Sequence, residues 1–77
     1  MHTKWREHIH ADATILLGKP VIKGTRLSVE FILSLLASGW SEEQVLKNYP
    51  QLRKEDLQAV FAYAEECLKD GLLFEMP

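Results

Sequence analysis

The sequence predicts a mainly α domain, a three-helix bundle behind a short N-terminal β or extended arm. Three observations carry that reading. Apolar residues recur at helical spacing in three stretches after Leu27, and serine, glycine and proline mark where most of those stretches start or stop. Before Leu27 the apolar runs are only two or three residues long, and Gly18, Pro20 and Gly24 punctuate them. At 77 residues the chain makes one small domain, because at that length only about 60% of the unfolded surface is buried on folding. It divides into an arm and hinge (residues 1–27), a helical core (28–70) and an apolar tail (71–77).

In the arm, His8-Ile9-His10 alternates polar and apolar as a half-buried strand does. Asp12 suits a turn, and Ile15-Leu16-Leu17 and Val21-Ile22 read as extended pieces. Residues 18–27 form the hinge: two glycines that tolerate positive φ bracket a β-branched segment, and Pro20 keeps Lys19 extended. An isolated two-stranded ribbon is marginal in water, so its open edge is expected to pair with a second copy of the chain as a homodimer. Trp5 is expected to fold back on the protein's own core or on a partner chain, in preference to stacking on a base.

The first helix is expected over 29–38, capped by Ser28, with Val29, Ile32, Leu33 and Leu36 on one stripe and Gly39 as its stop. Phe31 and Leu35 widen that stripe, which predicts that this helix is the most buried. The second runs over 42–48. Ser41 and Gln44 form a capping box, Trp40 and Val45 a hydrophobic staple, and Tyr49-Pro50 ends it. The third runs over 54–69, with Leu57, Val60, Phe61, Ala64, Cys67 and Leu68 on the packed face, and Asp70-Gly71 closes it. Leu72, Leu73, Phe74 and Met76 follow as a tail, either filling the gap between helices one and three or serving as partner-binding residues.

A composition of 47% hydrophobic and 26% charged residues is that of a folded globular protein, not of a disordered tail. No apolar run reaches the roughly 18 residues of a membrane span, and the start is not that of a secretory signal. Cys67 is the single cysteine, which rules out an internal disulfide and makes a cytoplasmic location the expectation. The net charge of −2 is unevenly spread. Residues 1–26 carry five cations (Lys4, Arg6, Lys19, Lys23 and Arg26) against Glu7 and Asp12, whereas residues 27–77 carry four cations against nine carboxylates.

Gly18-Lys19-Pro20-Val21-Ile22-x-Gly24-Thr25-Arg26-Leu27, then Ala37-Ser38-Gly39, Ser41-Glu42-Glu43-Gln44-Val45-Leu46, Tyr49-Pro50, Leu52, Glu55-Asp56-Leu57 and Ala62-Tyr63-Ala64, resembles a small prokaryotic family catalogued as domain of unknown function 433. The likeness runs from about His8 to Leu68. It implies a helix-turn-helix-like domain and, in several members, an antitoxin role beside a nuclease-type toxin. Arg53 stands where the family pattern usually has a capping Thr or Ser, so the start of helix three is expected to fray by about 1 kcal/mol of lost capping.

Catalysis is disfavoured. His8, His10 and Asp12 can be drawn as a metal or acid–base set, but no nucleophile, base and orienter or phosphate loop accompanies them, so no metal, cofactor or catalytic residue is assigned. DNA binding is better supported. Helix three stands where a recognition helix would, offering Arg53, Lys54 and Gln58 to phosphates or bases among exposed positions that include Ala59, Ala62, Glu65 and Glu66. Lys4, Arg6, Lys19 and Lys23 would add phosphate contacts. A protein partner competes closely, since an acidic helical surface suits the basic cleft of a nuclease. For Gly24-Thr25-Arg26 a structural role is preferred over a phosphate clamp: Gly24 supplies a special backbone angle, Thr25 bonds the turn, and Arg26 is held by a carboxylate or by carbonyls at a helix end. The expectation is an antitoxin-like protein that neutralises a toxin and represses its own promoter, with a regulatory interaction module that binds neither DNA nor toxin as the alternative.

Overall fold

In a computed structural model, which describes residues 4–69, three helices pack against a two-stranded antiparallel sheet, and helix dominates. A short 3-10 turn at Trp5–Glu7 leads into β1 (Ile9–Ala11), which pairs with β2 (Pro20–Ile22) in the register Ile9 to Ile22, His10 to Val21 and Ala11 to Pro20. The helices are α1 (Val29–Ala37), α2 (Glu42–Asn48) and α3 (Lys54–Lys69).

Helix ends follow local chemistry. Ser28 Oγ accepts the Phe31 N–H at 2.9 Å and starts α1. That helix stops in a Schellman turn: Trp40 N–H donates to Leu35 O and Gly39 N–H to Leu36 O, with Gly39 at φ 102°. The expected capping box of α2 forms, with Ser41 Oγ taking the Gln44 N–H at 3.1 Å and Gln44 Oε1 taking the Ser41 N–H at 2.8 Å. At α3 no hydroxyl caps the helix, yet its start is held. Asp56 reaches back so that Oδ2 accepts the Arg53 N–H at 2.9 Å, supplying the carboxylate half of a capping box. The fraying expected from Arg53 is thus offset three residues downstream.

The core gathers Ile9 and Ile22 from the sheet, Val29 and Ile32 from α1, Val45 from α2, Leu52 from the α2–α3 loop, and Leu57, Ala59 and Val60 from α3. Three expectations need correcting. Of Ile15-Leu16-Leu17 only Ile15 is extended: Leu16 and Leu17 turn left-handed at φ 49° and 59°, continuing into Gly18 at 85° in a 3-10 turn. Nor does α1 stand out as the buried helix: it buries Val29 and Ile32 of its 9 residues fully, about the same share as Asp56, Leu57, Ala59 and Val60 of the 16 in α3. Finally, the packed stripe of α3 is rotated. Ala59, expected outside, is wholly buried, while Phe61 and Leu68, expected inside, are 44% and 37% exposed. The arm causes this rotation by covering the flank of α3 that carries Tyr63 and Glu66.

Candidate functional site

Two surfaces stand out, and they lie toward opposite ends of α3. At its N-terminal end a chain of hydrogen bonds ties the hinge to the helix. Lys23 N–H donates to His8 O at 2.8 Å, the His8 ring donates through Nδ1 to Asp56 Oδ1 at 3.0 Å, and Asp56 in turn holds the Arg53 N–H. Because Asp56 is 5% exposed and bonded from both sides, this link fixes where the 23–26 turn sits relative to the first turn of α3.

Within that turn the structural roles expected of Gly24 and Thr25 hold. Gly24 sits at φ 82°, and Thr25 Oγ1 donates to Ile22 O at 2.8 Å while accepting the Leu27 N–H at 3.0 Å. Arg26 differs from expectation, since neither a carboxylate nor a helix-end carbonyl holds it; it is exposed and has no side-chain partner among the described residues. Lys23, Arg53 and Lys54 are likewise exposed and unpaired among the described residues, as are Lys4 and Gln58. The remaining residues proposed for nucleic acid are engaged elsewhere. Lys19 Nζ pairs with Glu30 at 3.0 Å, and Arg6 lies 4.4 Å over the Trp5 ring and 3.4 Å from Glu66.

The other end is apolar. Leu17 is 96% exposed on its left-handed turn, an arrangement that costs roughly 1–2 kcal/mol of backbone strain per residue and buries nothing in return. Beyond Val60 no described residue of α3 is fully buried, although Phe61, Tyr63, Ala64, Cys67 and Leu68 all lie there. Pro20, Val29, Leu33 and Tyr63 line an open groove of about 280 Å³ with Glu30 at its edge. Trp5 flanks this half. Its ring meets Tyr63 edge-on at 4.8 Å and its Nε1–H donates to Glu66 at 2.6 Å, as expected of an indole that folds back on its own domain. That hydrogen bond, more than the nearby Arg6 charge, holds the Glu66 carboxyl below its ordinary value, against a counter-push from burial. Burial, and then Cys67, raise the Tyr63 phenol above its ordinary value.

Sequence reasoning missed the exposure of Leu17 because a short apolar run before a glycine read as an extended piece; the sole signal was Gly18, which can end a left-handed turn. The proposed partner-binding residues Leu72, Leu73, Phe74 and Met76 lie outside the described residues. His8, His10 and Asp12 do not converge: His8 bonds Asp56, while Asp12 Oδ1 accepts from Thr14 N–H and Oγ1–H, which lowers the Asp12 carboxyl. Among the described residues no group of three or more His, Cys, Asp or Glu is placed to hold a metal ion, and no helix is long and apolar enough to cross a membrane.

The chain is a DUF433 protein: residues 9–64, well over half of it, match the family described as "Protein of unknown function (DUF433)". It is similar to the uncharacterized protein y4eO of Sinorhizobium fredii, at 37% identity over 60 residues that make up 78% of this chain and 27% of that one. It also resembles the crystal structure of a DUF433 member protein from Anabaena variabilis, with a TM-score of 0.74 and 29% identity, covering 80% of this chain and 61% of the other. The chain therefore spans about a quarter of the one relative and under two thirds of the other.

Proposed function

We propose that this domain is a protein-binding module of antitoxin type, which neutralises a nuclease-type toxin by docking its apolar end on the toxin. The observation that supports the reading is the strain and exposure of that end. A left-handed Leu16-Leu17 turn leaves Leu17 almost wholly exposed, and a helix half bearing Phe61 and Leu68 leaves over a third of each of those side chains in water; such surface is characteristic of a protein contact. Tyr63 and the groove it lines provide an aromatic anchor and the depression that interface centres use. Net negative charge on the helical half adds attraction to a basic nuclease cleft.

Co-expression with the product of the adjacent gene tests this. The two chains are expected to co-purify and to suppress the neighbour's nuclease activity, and Leu17→Asp with Phe61→Asp is expected to abolish both. Free nuclease activity in the presence of the folded wild-type domain would refute the antitoxin role. A stable complex with a neighbour that has no nuclease activity would instead favour a regulatory adaptor.

A further inference from the structure

The protein's nine Lys and Arg side chains all fall within residues 4–69, and three of them are paired with carboxylates. Arg6, Lys19 and Lys69 each face a carboxylate at 4.0 Å or less, namely Glu66, Glu30 and Glu65, and all three belong to the arm or to the apolar end. Lys4, Lys23, Arg26, Lys47, Arg53 and Lys54 face none among the described residues, and four of these six, Lys23, Arg26, Arg53 and Lys54, flank the contact between the hinge and the start of α3. Two separate chain segments contribute those four, and the Lys23–His8–Asp56–Arg53 relay brings the segments together. Asp56, which the relay holds between them, is buried and accepts from two donors, so among the acidic residues of the first turn of α3 only Glu55 stays on the surface to oppose the four charges.

We propose that this end binds the phosphate backbone of double-stranded DNA, with Lys23 and Arg26 on one segment and Arg53 and Lys54 on the other as the phosphate contacts. The proposal goes beyond the protein-partner reading and does not depend on it. A duplex is favoured over an acidic protein because a protein contact needs apolar anchors, whereas phosphate binding needs unpaired cations on a rigid frame. Of the large apolar side chains exposed among the described residues, Leu16, Leu17, Phe61 and Leu68 belong neither to the 23–26 turn nor to the first turn of α3, and Phe31 is taken up edge-on by Tyr49 at 5.7 Å. The positive end of a 16-residue helix adds to the field there. Replacing these exposed cations breaks no side-chain pairing within the described residues, so variants can be made without unfolding the domain.

The experiment is fluorescence anisotropy of the full chain on a labelled random duplex of about 20 base pairs, titrated between about 50 and 200 mM salt. Binding that weakens steeply with salt is expected. Lys23→Gln with Arg26→Gln, and Arg53→Gln with Lys54→Gln, should each reduce the log–log salt slope by about two, since every neutralised phosphate accounts for about 0.9 of it. Lys19→Gln with Lys69→Gln, which removes the same charge from the paired set, should leave the slope unchanged, and circular dichroism should report all three variants folded. No binding at the lowest salt, an equal loss in the Lys19 and Lys69 variant, or tighter binding to a matching RNA duplex would overturn the proposal. A toxin complex that survives these substitutions leaves the two readings separable.

Discussion

The second half of α3 is the more apolar of the two, yet it is the first half that is buried. Residues 54–60 bury Asp56, Leu57, Ala59 and Val60, whereas residues 61–69, with the larger side chains, bury none fully. The difference lies in what stands opposite. The first half faces the sheet, α2 and Leu52, a nearly closed set of apolar surfaces, while the second is flanked by Trp5 on one side and by an open groove toward α1 on the other. Periodicity alone sets which residues share a face; neighbouring elements decide whether that face is core or interface. Charge differs too: Arg53 and Lys54, at the start of α3, pair with no carboxylate among the described residues, whereas Lys69 at its far end pairs with Glu65.

The largest effect should separate the two halves directly. Leu57→Ala, at a fully buried site, is expected to destabilise by about 3 kcal/mol and to lower the melting temperature by about 15 °C, while Leu68→Ala should cost under about 1 kcal/mol. Similar losses in urea unfolding would break the comparison. Asp56→Ala should come next, at about 2 kcal/mol, because it removes a cap and leaves the half-buried His8 ring N–H and the Arg53 N–H without their shared acceptor. If that variant unfolds with the wild type, the hydrogen-bonded relay does not anchor the hinge.

A smaller effect is pH-dependent. The carboxyl of Glu66 is held low in the folded state, so the stability it contributes is present above its ordinary value and is lost as pH falls through the folded one. Urea midpoints of the wild type should therefore drop toward those of Glu66→Gln on acidification, and a constant difference would exclude the Trp5–Glu66 bond as the cause. Smallest is Leu17→Asn. Asparagine accepts left-handed geometry, so stability should rise by about 0.5 kcal/mol while toxin binding falls, a divergence that a purely structural turn would not show.

Most of the helical frame was legible because its signals are local. Ser28, Ser41 with Gln44, Gly39 and Tyr49-Pro50 act through neighbours within one turn; α2 starts and stops where its residues predict, α3 starts where they predict, and α1 closes one residue early. What could not be read depends on distant contacts. Ala59 is buried although it lies off the apolar stripe that the spacing picks out, and Arg53 is capped by an acid that also bonds a histidine 48 positions away. The candidate site was half visible: its cations were named, but which of them are already paired is settled by Glu30 and Glu66, far along the chain. Leu16 and Leu17 failed for a different reason, since strain overrides the extended preference of an apolar run.

Backbone amide hydrogen exchange on the complex with the adjacent gene's product, compared with the free domain, tests the division of labour most directly. The account predicts new protection at Leu16, Leu17 and residues 61–68, with the 23–26 turn and residues 53–54 unchanged until duplex DNA is added. Protection by the protein partner at the 23–26 turn, with the second half of α3 left exchanging as before, would contradict it.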